Sequence, residues 1–137
     1  MKPGLAAVTR LLGEAALPSA DLTEAKLAHF LSHGAAEAPE GIIGLELYPP
    51  VALLRSLAVA SNVRGRGVGR ALLADAERYA RSQEVQDLYL LTTTAERFFA
   101  REGYERVPRE AAPPAIQETV EFSTLCSASA ALMRKRL

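Results

Sequence analysis

A glycine-rich segment, RGRGVGR at residues 64–70, joins a predicted strand directly to a predicted helix. The residues before it, VALLRSLAVA at 51–60, form an almost continuous apolar run, which is typical of a strand covered on both faces. The residues after it, ALLADAERYARSQ at 71–83, have apolar side chains at helical spacing. A strand that leads through such a loop into a helix indicates an α/β arrangement with a ligand site at the loop.

The loop has the chemistry of an anion site. Gly65, Gly67 and Gly69 carry no side chains, so the backbone can approach a ligand closely and adopt positive φ angles. The first N–H groups of the following helix, together with its dipole, favour a negative charge. Arginines at positions 64, 66 and 70 add positive charge. These features predict a pyrophosphate held mainly by backbone amides.

Three kinds of phosphate loop compete for this segment. A P-loop needs Lys followed by Ser or Thr after the last glycine, where this chain has Arg70-Ala71. A dinucleotide fingerprint needs G-x-G-x-x-G and an acid at the end of the next strand, whereas Asp87 stands at that strand's start. The R-x-x-G-x-G pattern of acyl-CoA binders is met by Arg64, Gly67 and Gly69. A glycine-rich turn without a ligand is the alternative.

The rest of the chain predicts further helices and strands in a single domain, 1–137. A first helix is expected at about 5–16, and a second, capped by Ser19 or Asp21, through Leu31. Strands are expected at 42–48, 87–93, 104–108 and 130–137, a short helix at 95–103, and a loop with a helix at 111–129. Together they indicate a mixed α/β fold with one sheet between helices.

Composition excludes several classes of protein. Sixteen basic and sixteen acidic residues give no net charge, so no broad grip on nucleic acid or an anionic membrane is expected. Cys126 has no partner for a disulfide, and with His29 and His33 it falls short of a structural zinc site. We find no apolar run long enough to cross a membrane and no signal peptide, which favours a cytoplasmic protein. The charged residues 134–136 are expected to be solvated.

At these motifs the chain resembles the GNAT family of N-acetyltransferases over essentially its whole length. LRSLAV resembles the family's fourth strand, RGRGVG its pyrophosphate loop, DLYLLTT its fifth strand, and AERFFAREGY the following helix and strand. Within the family, LLTTTAERFFAREGYERV and SAALMRK are similar to two groups. One is the acetyltransferase domain of N-acetylglutamate synthases, and the other is a set of small acetyltransferases linked to bacterial arsenic resistance.

The resemblance implies a GNAT fold and acetyl-CoA as cosubstrate. Its sheet would be mixed and mostly antiparallel with helices on both faces, and the pantetheine arm would enter between the splayed fourth and fifth strands. Backbone groups of one strand would hold the arm and polarise the thioester, and an amine would then attack directly, without metal or covalent intermediate. The residues implied for acetyl-CoA are Leu57, Ala58, Val59, Arg64, Gly65, Arg66, Gly67, Val68, Gly69, Arg70, Thr92 and Phe99.

Two positions depart from the family pattern. Phe99 stands where a proton-donating tyrosine is common, and Leu53 stands where some members carry a glutamate base. Glu46 and Arg55 are charged residues in apolar strands, where an unpaired charge is costly. Glu46 is our candidate base or amine anchor, and Arg55 our candidate for holding a substrate anion. Alternatively, the two pair with each other or reach solvent, and Ser56 lies on the opposite face in a structural role.

The sequence therefore predicts an acetyl-CoA-dependent N-acetyltransferase that acts on the amine of a small anionic, amino-acid-like molecule. A role in resistance to arsenic or to a toxic amino acid follows from the second resemblance. The alternative is a non-catalytic acyl-CoA-binding sensor or regulatory protein. Since the family's usual first strand is hardly visible, the sheet edge would be exposed or covered by another subunit, and a homodimer is predicted as one arrangement.

Overall fold

The computed structural model describes residues 4–15, 17, 19–23, 25–34, 39–119, 122–123 and 130–137. Within them, the strands are β1 (Phe30–Gly34), β2 (Pro39–Tyr48), β3 (Val51–Val59), β4 (Asp87–Thr92), β5 (Glu105–Val107) and β6 (Ala131–Arg136). The α-helices are α1 (Leu5–Glu14), α2 (Val68–Ser82), α3 (Glu96–Arg101) and α4 (Pro114–Gln117). Short 3₁₀ turns lie at Lys26–His29, Ser61–Val63 and Arg109–Ala111. Cys126 and much of the predicted loop and helix at 111–129 lie outside the described residues.

The strands form one sheet in the order β1-β2-β3-β4-β6-β5. Neighbours are antiparallel except for β3 and β4, which run parallel. Helices α2 and α3 cover one face, while α1 and α4 cover the other. The predicted mixed, mostly antiparallel sheet between helices is therefore confirmed.

Helix α2 forms because its larger apolar residues recur at helical spacing on the side that faces the sheet. Its buried apolar side chains pack against alternate residues of β2 and β3, since side chains in a strand point to opposite faces in turn. The members of this layer include Ile43, Leu45, Leu54, Leu72, Leu73, Ala76 and Ala80. The layer fixes the start of α2, and with it the glycine loop, at one end of β3.

The second predicted helix is wrong. The residues with this apolar spacing form instead the turn Lys26–His29 and then β1, in which Phe30 pairs with Gly44 of β2. The Phe30 side chain is fully buried, and its ring lies over Gly44 so closely that a Cβ there would be 2.4 Å from the ring carbons. Pairing with β2 and packing on Gly44 override the helical periodicity, because local preference is weaker than tertiary contact.

The solvation predicted at residues 134–136 holds for Arg136, which is exposed, but not for Arg134 and Lys135, which are partly buried, and the strand predicted at 130–137 is confirmed as β6. Lys135 Nζ lies 3.0 Å from Glu77 Oε2 of α2, and Tyr104 donates a hydrogen bond of 2.9 Å to the same oxygen. Burial, with Glu77 beside it, raises the pKa of Tyr104 well above its usual range. The buried pair supplies each charge with a partner and ties β6 to α2.

Candidate active site

Strands β3 and β4 pair only along part of their length and then separate. Their parallel register runs from Val51 opposite Asp87 to Leu54 opposite Leu90, and β3 residues beyond Leu54 have no partner in β4. A cavity of about 380 Å³ opens between the diverging ends. It is lined by Ala15, Leu17, residues 54–59, Arg64, residues 90–92, Thr94, Ala95 and Phe99. The predicted splay of these two strands is therefore confirmed.

A β-bulge shapes the β3 side of this cavity. Gly44 of β2 pairs with Arg55, but Ile42, two residues away, pairs with Ala58, three residues away. The extra residue lies next to Ser56, whose φ of +61° is rare for a side chain other than glycine's. As a result Arg55 Nε donates a hydrogen bond of 3.0 Å to Ser56 Oγ. The prediction that Ser56 points away from Arg55 is therefore wrong, because the bulge turns both side chains together.

Arg55 is the centre of a buried polar cluster. Its side chain has 0% of its surface exposed, and its two Nη atoms donate to the two carboxylate oxygens of Asp21 at 2.6 and 2.8 Å. Nη1 also donates to Glu46 Oε2 at 2.7 Å. Tyr48 donates to the other Glu46 oxygen at 2.7 Å, and Lys26 Nζ lies 3.0 Å from Asp21. The structure thus brings Glu46 and Arg55 together, as the pairing alternative predicted, and adds Asp21.

The protonation states of this cluster follow from its geometry. Burial raises the pKa of Asp21, but hydrogen bonds from Arg55 and Lys26 and their charges outweigh burial and lower the pKa from 3.8 to about 2. Burial and the hydrogen bond to Glu46 raise the pKa of Tyr48 above its usual range. At neutral pH Asp21 is therefore ionised and Tyr48 keeps its proton.

Sequence reasoning missed Asp21 as a site residue and assigned it instead to a helix cap. Its carboxylate is 5% exposed and is bound to a strand that lies 34 positions along the chain. Arg55 in an apolar strand did signal that an acidic partner must exist. Nothing in the spacing of Asp21 distinguishes it from other acidic residues in turns.

The glycine loop forms an open, positively charged turn at the start of α2. Gly65 and Gly67 have φ angles of +83° and +79°, and a Cβ at either position would meet nothing within 4 Å. Gly67 is the N-cap of α2, and the first intrahelical bond is donated by Ala71 to Gly67 at 3.0 Å. Within the described residues no side chain caps this end, so the N–H groups of the first turn point to the loop's open side.

The loop and the cavity adjoin each other. A Cβ at Gly69 would lie 3.7 Å from Val59 at the end of β3, and Arg64, which lines the cavity, donates to the Val59 carbonyl at 3.3 Å. Arg66 and Arg70 are exposed, and Arg70 lies 3.4 Å from Glu102. A ligand whose anionic group binds at the start of α2 could therefore extend directly into the cavity.

The residues predicted for the cosubstrate fall into these two places. Leu57, Ala58, Val59, Arg64, Thr92 and Phe99 line the cavity, and Gly65, Arg66, Gly67, Val68, Gly69 and Arg70 form the loop and the first turn of α2. The Thr92 hydroxyl accepts a hydrogen bond of 2.9 Å from the Ala95 amide and so fixes the turn into α3.

The two positions that depart from the family pattern are apolar and buried. Phe99 packs edge-on against Phe98 and Tyr104, and Leu53 lies in the cluster beneath α4. Glu46 is not among the residues that line the cavity and reaches it through Arg55.

Within the part of the chain that the structure describes, each of the two histidines has a polar neighbour. His29 Nδ1 lies 2.7 Å from the Tyr79 hydroxyl, and His33 Nδ1 lies 3.0 Å from Glu40. In the described ranges of the chain, no three potential metal ligands come together. None of the helices in those ranges is long and apolar enough to cross a membrane.

Comparison with known proteins supplies the family. A family model described as acetyltransferase (GNAT) domain matches residues 27–106. An uncharacterized N-acetyltransferase of Chlorobaculum tepidum is 36% identical over 66 residues, which cover 48% of this chain and 42% of that protein.

Two solved structures share the fold. N-acetylglutamate synthase from Neisseria gonorrhoeae, complexed with coenzyme A and N-acetyl-glutamate, has a TM-score of 0.80 at 21% identity, covering 97% of this chain and 32% of that one. A Mycobacterium tuberculosis protein in complex with CoA has a TM-score of 0.80 at 18% identity, covering 100% and 98%. The chain thus spans less than half the length of the Chlorobaculum and Neisseria proteins.

Proposed function

This chain belongs to the GNAT family of acetyltransferases, whose model matches more than half of it, and from that premise we propose that it transfers the acetyl group of acetyl-CoA to the amine of a small anionic, amino-acid-like molecule. One observation carries the proposal. The cavity between the splayed ends of β3 and β4 adjoins an open glycine loop at the start of a helix. A slot that adjoins an anion site suits a long thioester with a pyrophosphate at its other end.

The loop would bind the pyrophosphate. Backbone N–H groups from Gly67 to Arg70 are oriented by α2, whose dipole favours the negative charge. The side chains of Arg64 and Arg66 add charge at the rim. This assignment accounts for the positive φ of Gly67, since the turn leaves no side chain between the backbone and a ligand.

The pantetheine arm would lie along β3. Beyond Leu54 this strand has lost its partner in β4, so its backbone groups are available to an extended ligand that pairs like an added strand. In this arrangement the backbone of Leu57 and Val59 holds the arm, and an N–H near Leu57 or Ala58 polarises the thioester carbonyl. The neutral acceptor amine then attacks the carbonyl carbon, the C–S bond breaks, the CoA sulfur departs as a thiolate, and the proton lost from the nitrogen passes to solvent.

The chain's own residues constrain the proton transfers. Phe99 has no hydroxyl to protonate the leaving group, but a thiol with a pKa of about 8.5 leaves readily as the thiolate. We assign Glu46 as a base or an anchor for the acceptor's ammonium. Both of its carboxylate oxygens already accept hydrogen bonds, from Tyr48 and Arg55, and Glu46 does not line the cavity, so either role would be exerted through Arg55.

The acceptor would be recognised by Arg55. A buried guanidinium presents a planar fork that matches a carboxylate, and a phosphinate or arsinate has the same paired oxygens. The similarity to N-acetylglutamate synthase supports a glutamate-like shape, and resistance to an arsenic-containing or phosphinic amino acid would follow from acetylation of its amine.

Release of CoA thiol from acetyl-CoA tests the proposal. The panel of acceptors contains glutamate, phosphinic and arsinic analogues of glutamate, glutamine, polyamines and peptides. We expect release with one or a few acidic amino acids, and an Arg55→Lys variant, which keeps the charge but loses the fork, should raise their KM. Release with polyamines or peptides alone would refute the acidic acceptor.

A second candidate function is a non-catalytic acyl-CoA sensor. It is favoured by the apolar residues Phe99 and Leu53 at the two family positions that carry an acid or a base elsewhere. This protein would be stabilised thermally by acetyl-CoA, yet would release no thiol with any acceptor of the panel.

We further propose that the protein forms a homodimer along the edge of β1. Among the described strands, β1 pairs with β2 on one side and is the end strand of the sheet, an edge that a strand of a second copy could join. Light scattering during size-exclusion chromatography should give twice the mass of one chain. A single-chain mass at micromolar concentration would refute the dimer.

A further inference from the structure

The partners of the Arg55 guanidinium come from two different parts of the chain. Ser56 on β3 accepts from Nε at 3.0 Å, and Glu46 on β2 accepts from Nη1 at 2.7 Å. Both belong to the sheet, and they fix the plane of the guanidinium. Asp21 meets the outer edge of the fork with both oxygens, at 2.6 and 2.8 Å, and belongs to the segment between α1 and β1.

That segment also forms one wall of the cavity. Ala15 and Leu17, at its start, line the cavity together with Arg55 and Ser56. The hydrogen bonds described for its backbone are local, such as Leu22 to Ser19 at 3.0 Å, and do not join it to a strand. Asp21 reaches the sheet through its side chain instead. This contact can be exchanged without breaking a strand pair, whereas Ser56 and Glu46 are held beside the guanidinium by the strands on which they lie.

The charges leave room for one anion only at the fork. Among the described residues, Arg55 and Lys26 balance Asp21 and Glu46, each within 3.0 Å of an opposite charge. A further carboxylate beside Asp21 would add an uncompensated negative charge to a buried cluster, which is strongly unfavourable. An acceptor's carboxylate can therefore bind Arg55 only in place of Asp21.

We propose that Asp21 is an internal occupant of the Arg55 anion subsite, and that the carboxylate, phosphinate or arsinate of the acceptor replaces it on binding. The inference rests on the proposed function and names Asp21 as the residue that makes the site specific for acidic acceptors. An acidic acceptor restores both hydrogen bonds to the fork. A neutral or cationic amine cannot replace Asp21 without leaving the buried guanidinium short of its partner, so the exchange rejects it.

The test compares Asp21→Asn with the wild-type chain on glutamate and on glutamine, which keeps the α-carboxylate and lacks only the side-chain carboxylate that is proposed to replace Asp21. The amide competes less well for the fork, so KM for glutamate should fall about tenfold, while kcat and the KM for glutamine stay the same. The matched control is Asp87→Asn, which also removes a carboxylate from an arginine, Arg134 at 2.9 Å, but at the far end of β4. The control should leave both KM values unchanged. A KM for glutamate that is unchanged or higher in Asp21→Asn, or an equal fall for glutamine, would overturn the inference.

Two further measurements separate this inference from the proposed function and from misfolding. Calorimetric binding of glutamate to the CoA complex needs no turnover. Tighter binding to Asp21→Asn without thiol release would support the inference and refute the enzyme, while turnover with an unchanged KM would do the opposite. In the wild-type chain, NMR of the Asp21 carboxyl carbon should show its pKa rising from about 2 towards 3.8 when glutamate binds. A pKa that stays at about 2 in the complex would overturn the inference without any variant.

Discussion

Replacement of Gly67 by alanine should separate binding of the cosubstrate from stability. A Cβ at Gly67 would meet nothing within 4 Å, so the fold pays no steric penalty, but the φ of +79° is unfavourable for alanine by about 1–2 kcal/mol. In the proposed complex that Cβ stands between the pyrophosphate and the amides of α2. Loss of one charge-assisted hydrogen bond, about 1.5–3 kcal/mol, corresponds to a Kd about ten- to a hundredfold higher.

Gly65 provides the matched control. Its φ is +83° and its surroundings are equally open, but it precedes the N-cap of α2 by two residues. Gly65→Ala should lower the melting temperature by as much as Gly67→Ala while changing the affinity for CoA far less. Titration calorimetry with CoA and thermal melts measure the two quantities. Unchanged affinity in Gly67→Ala, or an equal loss in both variants, would refute the assignment of α2's start as the pyrophosphate site.

Two further predictions concern stability. The pKa of Asp21 is lower in the folded chain, about 2, than its ordinary 3.8, so its ion pairs stabilise the fold above pH 4 and that contribution, about 2 kcal/mol, is lost as the pH falls from 4 to 2. Denaturant titrations across this range should show the loss in the wild-type chain, and an equally steep loss in Asp21→Asn would contradict it. Gly44→Ala should cost about 1–3 kcal/mol, because its Cβ would be 2.4 Å from the Phe30 ring, whereas Gly13→Ala in α1 meets nothing within 4 Å and should gain up to about 1 kcal/mol. Equal melting temperatures for these two variants would refute the packing of Phe30 on Gly44.

The part of the site that the sequence predicted is the part built from local pattern. The strand 51–60, the loop 64–70 and the helix after it follow one another without a gap, and each has a periodicity or composition that identifies it. The structure has all three as β3, the glycine turn and α2. The helix begins at Val68, three residues before the predicted start, so Gly67 is its N-cap and the last residues of the predicted loop form its first turn.

The segment before β1 could not be predicted in this way. The apolar residues from Leu22 to Leu31 have helical spacing, but Phe30 finds its place over Gly44, a glycine fourteen residues later that alone leaves room for the ring. A pattern within one segment holds no information about the surface on which it will pack. Helical spacing in a short segment is overridden when a neighbouring strand offers such a surface.

The position of Arg55 shows how a single charge in an apolar strand predicts a buried polar cluster. Its presence in an apolar strand required acidic partners, and Glu46 was identified because it occupies the neighbouring strand. The bulge at Ser56 could not be anticipated, and it is the bulge that turns the guanidinium to the cavity edge where Asp21 meets it. A clamp that served stability alone could be replaced by apolar residues at little cost, and often with a gain. In the proposed function, the Arg55 guanidinium, whose outer edge is held by Asp21 beside the cavity, is instead the receptor for the acceptor's anion.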